Sequence, residues 1–380
     1  MDQQINKLRI GILLRNRHDG PGGLEKVLEV LNRSMVTDEA ELYFYALFPP
    51  QYTEFTRDFS RLNVLKLPRL MERTTSFMPK SIRRIIHKGY VKSFGGKLFD
   101  QMIHDQIDVL ITMDLSKQFL NNYSFFKEFK EKSNIPVLSW IHISLTGNTP
   151  KIAQAVYQKM DIFNGHLAIS KGLAEELEQD YSARNISMVY NPVDAADLIV
   201  RNKTKFIYVG RISKIKRVES LLQQLAKLKG AWSLDIYGST GNPEEDLRLI
   251  HHIKKLGLIN NVQFHGWKKD AWRHIQEAGV LLLNSTREGF GLVIVEAMQR
   301  GIPVISADCP VGPSELITDG VNGWLYPVPE ESKITEFLQE VLDGKRELPA
   351  APVVQNSVKR FETYNYIRQF LFELKKYTGK

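Results

Sequence analysis

NSTREGFGLVIVEAMQRG, residues 284–301, carries the clearest structural pattern in the sequence. The apolar run VLLL at 280–283 precedes it and predicts a buried strand that ends in a polar loop. Gly289 and Gly291 supply the backbone freedom that a tight turn from strand to helix requires. The stretch therefore predicts a strand, a glycine turn and a helix from Leu292, the repeating unit of an α/β fold.

Two carboxylates flank this glycine turn. The first N–H groups of the predicted helix point into the turn, where the positive end of the helix dipole favours a phosphate or a sugar oxygen. Glu288 stands in the turn, and Glu296 is the single carboxylate in the apolar run 292–298, where a buried charge needs a partner. Each residue alone has an ordinary explanation, as a dipole-stabilising or solvated side chain. Together they favour a binding function, because a carboxylate accepts two hydroxyl hydrogen bonds as a sugar diol presents them.

The spacing of Glu288 and Glu296 within EGFGLVIVEAMQRGIPVIS resembles the signature of family 4 retaining glycosyltransferases. The resemblance implies that Glu288 contacts the donor hexose as a catalytic residue and that Glu296 binds the nucleotide ribose. It also implies that the amides of Phe290, Gly291 and Leu292 hold the hexose or a phosphate.

That family has the GT-B fold, with two facing Rossmann-like domains. The resemblance thus predicts an α/β protein with mostly parallel sheets. Residues 1–194 are expected to form an acceptor-binding domain and residues 195–363 a nucleotide-sugar-binding domain. A last helix at about 364–380 is expected to cross back to the first domain.

Composition bounds the class of protein. The chain has 380 residues, a formal charge of +8 and one cysteine, Cys309, so it can form no internal disulfide. No apolar run approaches the ~20 residues of a membrane span, and the N-terminal MDQQINKLRIGILL lacks a signal-peptide pattern. We therefore expect a cytoplasmic protein of two domains.

The positive charge is concentrated in residues 61–100, which contain ten Lys or Arg and two acids. Within this segment PKSIRRIIHKGYVKSF places apolar side chains near helical spacing with cations between them. This pattern predicts a helix on an anionic membrane surface, at the inner face of the membrane. An ordinary domain helix with a solvated basic face remains an equal alternative. No nucleic-acid-binding motif accompanies the charge, so a nucleic-acid partner is not expected.

Two positions in the first domain are site candidates. Gly22-Gly23 begins a predicted helix after the strand 7–14, which makes a turn suited to an anion, although a simple turn explains it equally. His142 lies near the end of the predicted strand 136–143, where ligands gather in open α/β sheets. The resemblance implies that Gly23 lies across a cleft from the donor phosphates and near the acceptor, and that His142 lies beside the donor sugar as a catalytic residue.

In the second domain the predicted strand 206–209 is followed by Gly210, Arg211 and Lys216. Arg and Lys in such a loop suit a diphosphate, and the spacing matches the family's V-G-R-x(4)-K pattern. The resemblance assigns Arg211 and Lys216 to the diphosphate and Trp267 to the nucleobase. The family commonly has glycine after that Lys, whereas this chain has Arg217.

Several shorter strings narrow the resemblance to the lipopolysaccharide core 1,6-galactosyltransferase subgroup. They are spread over residues 138–326 and include SWIHISL, VYNPV and DCPVGP. The function implied is retaining transfer of galactose or glucose from a UDP-sugar to a bacterial cell-surface glycan or a lipid-linked acceptor. The chain has no Asp-x-Asp pair, so no cofactor and no divalent metal is expected. The alternatives are a catalytically silent GT-B protein that binds a glycan or lipid, and a UDP-sugar epimerase.

Overall fold

The computed structural model describes residues 7–14, 22–35, 39–47, 59, 61–65, 89, 95–113, 115 and 117–380. The chain forms two compact units. Unit 1 comprises Met1–Ile169, Leu173–Val189 and Ile367–Lys380, and unit 2 comprises Ser170–Gly172 and Tyr190–Tyr366.

Unit 1 contains a sheet in which seven described strands run parallel, in the spatial order β3-β2-β1-β4-β5-β6-β7. The central strands are buried along their whole length, which explains why they are continuous apolar runs in the sequence. The strands are β1 (Leu8–Leu13), β2 (Ala40–Ala46), β3 (Leu62–Val64), β4 (Val109–Thr112), β5 (Val137–Ile141), β6 (Gly165–Ala168) and β7 (Ile186–Met188).

Unit 2 contains a second parallel sheet, in the order β10-β9-β8-β11-β12-β13. The strand β11 has the bounds that the sequence predicts. The strands are β8 (Lys205–Val209), β9 (Ser233–Tyr237), β10 (Val262–Gly266), β11 (Val280–Leu283), β12 (Val304–Asp308) and β13 (Gly323–Pro327).

The strand order of unit 2 reverses direction between β8 and β11, because β9 and β10 lie on one side of β8 and β12 and β13 lie on the other. The same order, 3-2-1-4-5-6, occurs in the first six strands of unit 1. It is the order of the Rossmann fold, in which ligands bind at the carboxyl ends of the strands where the direction reverses. The loops after β8 and β11 are therefore where a ligand site of unit 2 is expected.

Amphipathic helices connect the strands. In the helix after β8, buried side chains recur at the spacing of one helix face, at Val218, Leu221, Leu222 and Leu225, and pack in the core of unit 2. The helices are α1 (Gly23–Ser34), α2 (95–104), α3 (Lys117–Lys132), α4 (Pro150–Tyr157), α5 (Lys171–Tyr181), α6 (Val218–Leu225), α7 (Pro243–Lys255), α8 (Leu292–Gln299), α9 (Pro313–Leu316), α10 (Ser332–Leu342), α11 (Ala351–Asn356) and α12 (Thr363–Thr378).

The C-terminal residues 367–380 belong to unit 1. There the Phe370 ring packs 5.4 Å from the Trp140 ring, and the Gln369 side-chain amide donates to the Met188 carbonyl oxygen at 2.7 Å. The last helix was expected at about 364–380, and α12 runs from Thr363 to Thr378, although helical spacing in the sequence begins already at residue 357. Residues 359–361 form a separate 3₁₀ turn because Phe361 is buried against the rings of Tyr190 and Phe290.

The predicted basic membrane segment lies mostly outside the described residues. Of its cations Arg61 and Lys97 are described, and Arg61 Nη1 pairs with the Glu41 carboxylate at 2.8 Å. None of the helices within the described ranges combines the length and the apolar character needed to cross a membrane.

A buried histidine makes the stability of unit 1 sensitive to acid. His166 on β6 faces Ser139 on β5, and the Ser139 hydroxyl oxygen lies 2.7 Å from His166 Nδ1. Burial lowers the pKa of His166 from 6.5 to about 4. Between these values the unfolded chain binds a proton that the folded chain does not, so stability is lost as the pH falls from 6.5 to 4. The loss is about 3 kcal/mol in the free energy of unfolding.

The measurement is urea unfolding of unit 1 at pH 7, 5.5 and 4.5. His166→Asn keeps a polar atom near the place of Nδ1 and cannot titrate, so its free energy of unfolding should change less with pH than that of the unsubstituted protein. His104, an exposed histidine of the same unit, supplies the control His104→Asn. Equal pH dependence in all three proteins would contradict the assignment to His166.

Candidate active site

The carboxyl edge of the unit 2 sheet is lined by backbone where β8, β9 and β10 end. Glycines stand there at 210, 238 and 266, and the Gly210 N–H donates to the Tyr237 carbonyl oxygen at 3.0 Å. A Cβ on Gly238 would lie 2.0 Å from the Gly210 carbonyl oxygen. The close approach of these two segments therefore requires glycine at 238.

Lys216 and Glu288, predicted from separate parts of the sequence, meet at this edge. Lys216 Nζ lies 2.5 Å from Glu288 Oε1, and the two side chains are 21% and 10% exposed. Lys216 ends the 3₁₀ turn after β8, and Glu288 lies in the loop after β11. The two loops that flank the reversal of strand order thus place an ammonium and a carboxylate side by side.

Arg211 directly follows the glycine that ends β8. Its carbonyl oxygen accepts a hydrogen bond from the Tyr208 hydroxyl at 2.7 Å, which anchors its backbone to a buried residue. The Arg211 side chain is exposed and forms no ion pair with any residue that the structure describes. An exposed guanidinium on an anchored backbone can offer its donors to an anion.

The start of α8 supplies backbone donors. Its N-cap residue Gly291 has φ 90° and ψ 48°, a left-handed conformation that favours glycine, and no side chain caps the helix. Phe290 is buried against Tyr190 and Phe361, which fixes the turn that precedes the helix. Gly291 and Leu292 follow Glu288 by three and four residues, so their amides stand where the loop that carries Glu288 enters α8.

Glu296 lies one turn further along α8 and is 9% exposed. Its Oε2 accepts a hydrogen bond from the buried Trp272 indole N–H at 2.9 Å. Arg300 Nη1 donates to the Glu296 carbonyl oxygen at 2.8 Å, and its guanidinium lies 4.6 Å from the centre of the Trp272 ring. Burial lowers the pKa of Arg300. The indole orients the carboxylate, which offers about four lone-pair positions to donors.

The predicted base contact, Trp267, follows β10, and its side chain is 47% exposed. His142 and Gly23 lie in unit 1. The His142 ring follows β5 and packs 4.4 Å from the Trp140 ring. Gly23 is the first residue of α1, and the N–H of the preceding Gly22 donates to the carboxylate of Glu25 in that helix, at 2.9 Å.

Sequence reasoning missed three residues that support this edge. They are Trp272, which orients Glu296, and the buried pair of Asn284 and Tyr326, whose hydroxyl donates to Asn284 Oδ1 at 2.8 Å. Asn284 was quoted only as part of a polar loop. Trp272 lies in a short 3₁₀ turn, where no periodicity marks a buried face.

Cys309 is also near this edge and is fully buried, and burial raises its thiol pKa to about 12. A thiol protonated at neutral pH is a packed side chain and not a nucleophile. Among the described residues, no three or more His, Cys, Asp or Glu side chains are grouped so that they could hold a metal ion.

Solved structures share this architecture over nearly the whole chain. The lipopolysaccharide outer core galactosyltransferase WaaB in its apo form has a TM-score of 0.74 and 25% identity, covering 97% of this chain and 99% of that one. Anabaena HepE in complex with UDP-glucose has a TM-score of 0.73 and 20% identity, covering 97% of this chain and all of that one. The fold is GT-B, as predicted, and the protein is of the glycosyltransferase class.

The family follows from comparison of sequences. Residues 193–357 match the model of the family described as glycosyl transferases group 1. A lipopolysaccharide 1,6-galactosyltransferase of Salmonella typhimurium is 32% identical over 275 residues, which cover 69% of this chain and 73% of that relative. The chain belongs to the group 1 glycosyltransferase family.

Proposed function

We propose that this protein is a retaining hexosyltransferase that needs no divalent metal. It takes galactose or glucose from a UDP-sugar and transfers it to a bacterial cell-surface glycan or a lipid-linked acceptor at the membrane. The observation that carries the proposal is the contact of Lys216 Nζ with Glu288 Oε1, 2.5 Å apart, between the two loops that flank the reversal of strand order.

This contact supports a diphosphate and a hexose bound side by side. Lys216 neutralises the diphosphate, and Arg211 provides a planar group with paired donors for its oxygens. Glu288 accepts hydrogen bonds from sugar hydroxyls next to that diphosphate. As the bond between sugar and phosphate breaks, negative charge grows on the leaving group, and the preorganised cations and α8 amides stabilise it.

The position of Glu296 supports ribose recognition. Its carboxylate lies on α8, one helical turn beyond the amides proposed for the phosphate, and the Trp272 indole holds it in place. The exposed Trp267 ring is available to stack on a uracil. In unit 1, the resemblance supports His142 beside the sugar and Gly23 near the acceptor.

Similarity supports the choice of donor and acceptor class. The Salmonella relative is named a lipopolysaccharide 1,6-galactosyltransferase, and the solved WaaB structure is an outer core galactosyltransferase. These names favour transfer of a hexose to a bacterial surface glycan, and we propose that the transfer takes place on the cytoplasmic side. Retention of configuration follows if the acceptor attacks on the face from which the diphosphate departs.

Glu296→Ala tests the nucleotide site. We expect UDP to bind about tenfold more weakly, since one carboxylate-to-diol contact of about 1.4 kcal/mol is removed. Calorimetry with EDTA present measures the affinity, and Glu340→Ala, a glutamate paired with Arg346 elsewhere in unit 2, is the control. Unchanged UDP affinity in Glu296→Ala would count against the site.

The same preparations test the reaction. Incubation with UDP-galactose or UDP-glucose and EDTA is expected to give slow hydrolysis to UDP and free hexose. Turnover that requires added Mg²⁺ or Mn²⁺ would contradict metal independence. Appearance of the epimeric UDP-sugar without acceptor would favour an epimerase, and binding without any turnover would favour a silent binding protein.

A further inference from the structure

Arg217, the residue after Lys216, has a backbone conformation that is unusual for a residue with a side chain. Its φ is 46° and its ψ is 44°, which is the left-handed region that favours glycine. A side chain in this region costs backbone energy, and such a conformation persists where surrounding contacts impose it. The contacts of the Arg217 side chain are therefore expected to hold this conformation.

The guanidinium joins three segments of unit 2. Nε donates to the Asn284 carbonyl oxygen at 3.0 Å, and Nη2 donates to Asn284 Oδ1 at 2.9 Å. Nη2 also donates to the Val328 carbonyl oxygen at 3.3 Å, and Nη1 pairs with Glu331 Oε1 at 2.5 Å. The Asn284 amide donates back to the Arg217 carbonyl oxygen at 3.3 Å. Arg217 thus connects the loop after β8 with the first residue after β11 and with the segment after β13.

These contacts lie directly beside the predicted site. Lys216 precedes Arg217, and Glu288 lies four residues after Asn284 in the same loop. A further bond connects the two loops, because the Thr286 N–H donates to the Ile215 carbonyl oxygen at 2.9 Å. The Arg217 contacts and the Thr286–Ile215 bond therefore both join the loop that carries Lys216 to the loop that carries Glu288.

We propose that Arg217 is a positioning residue for donor binding. It joins the loop that carries Lys216 to the loop that carries Glu288. The Lys216 ammonium is then already in position when the diphosphate binds. The planar guanidinium suits this role, because it donates to a carbonyl, an amide oxygen and a carboxylate at once. The inference rests on the proposed function, since it acts through Lys216.

The test is the affinity for UDP in Arg217→Gly and Arg217→Lys, measured by calorimetry with EDTA. Glycine relieves the backbone conformation but removes every contact of the guanidinium, and UDP should bind about tenfold more weakly. Lysine can still pair with Glu331 but cannot make the paired bonds to Asn284. We expect Arg217→Lys to lose most of the same affinity for UDP. If Arg217→Gly does not fold, Arg217→Lys provides the test.

A double-mutant cycle with Lys216→Ala separates positioning from general destabilisation. If Arg217 acts through Lys216, its substitution should have little further effect on UDP affinity when Lys216 is already alanine. Additive losses, or wild-type affinity in both Arg217 variants, would overturn the inference. Arg346→Ala removes a guanidinium that contacts Glu340, Trp324 and Phe337 elsewhere in unit 2, and it should leave UDP affinity unchanged.

The single substitution Lys216→Ala distinguishes failure of the positioning role of Arg217 from failure of the proposed diphosphate site. If it weakens UDP binding but the Arg217 variants do not, the positioning role fails and the proposed function stands. If Lys216→Ala binds UDP as well as the unsubstituted protein, the diphosphate site fails, and the role of Arg217 fails with it.

Discussion

Glu288→Gln is expected to lower kcat/KM for the UDP-sugar by roughly 10²- to 10³-fold, the loss typical of removing one preorganised group from a transition state. The amide has the shape of the carboxylate but no charge, so it cannot balance the Lys216 ammonium 2.5 Å away. Its Oε1 can still accept from that ammonium, but its NH2 group then stands where the second carboxylate oxygen accepted from sugar hydroxyls. Steady-state transfer from UDP-galactose and UDP-glucose measures the effect.

The affinity of this variant for UDP should change much less than its rate, within about threefold. Lys216 loses a partner that competes with the diphosphate, which offsets the disturbed geometry of the pair. Glu340→Gln, in the ion pair with Arg346, is the matched control and should keep full activity. A rate near that of the unsubstituted protein in Glu288→Gln would remove Glu288 from the active site.

Gly238→Ala is expected to lower the free energy of unfolding of unit 2 by about 3 kcal/mol, from overpacking and weakened hydrogen bonds. The new Cβ would lie 2.0 Å from the Gly210 carbonyl oxygen, so the ends of β8 and β9 must separate. Two hydrogen bonds join the ends of these strands. They run from Gly210 N–H to Tyr237 O and from Ile212 N–H to Ser239 O, both 3.0 Å. The melting temperature of unit 2 should fall by roughly 6–12 °C.

Activity should fall with stability in Gly238→Ala, because Arg211 lies between Gly210 and Ile212 and moves with them. Gly96→Ala is the control, since a Cβ at Gly96 in α2 meets no atom of the described residues within 4 Å and alanine favours a helix. Calorimetric scans of the three proteins make the comparison. An unchanged melting temperature in Gly238→Ala would contradict the close approach of Gly238 to the Gly210 carbonyl oxygen.

The alternation of strands and helices was predictable because parallel strands are buried on both faces. Such strands appear in the sequence as short apolar runs such as VLLL, and β11 was located to the residue. Strands that lack this signature were missed. The strand β3 has three residues, and β13 (GWLYP) contains glycine and proline and lies at the sheet edge, where proline is tolerated.

The C-terminal helix shows a different limit. Helical spacing continues through residues 357–362, but the buried Phe361 ends that segment in a 3₁₀ turn, and α12 begins only at Thr363. Packing against Tyr190 and Phe290 outweighs the local pattern. Such a contact joins residues far apart in the chain, so one sequence does not show it.

The candidate site was predicted in part for a related reason. Lys216 and Glu288 were each named from a local motif, and their contact follows from the strand order, which places β8 beside β11. Arg217 was noted only as a departure from the usual glycine. Its contacts with Asn284 and Glu331 depend on segments brought together by the fold.

The most direct test of the account is a crystal structure with UDP bound, grown in EDTA. We expect the diphosphate oxygens within hydrogen-bond distance of Lys216 Nζ and the N–H groups of Gly291 and Leu292, with the ribose hydroxyls on the Glu296 carboxylate. A nucleotide bound away from Lys216 and the start of α8, or bound only when a divalent cation is added, would contradict it.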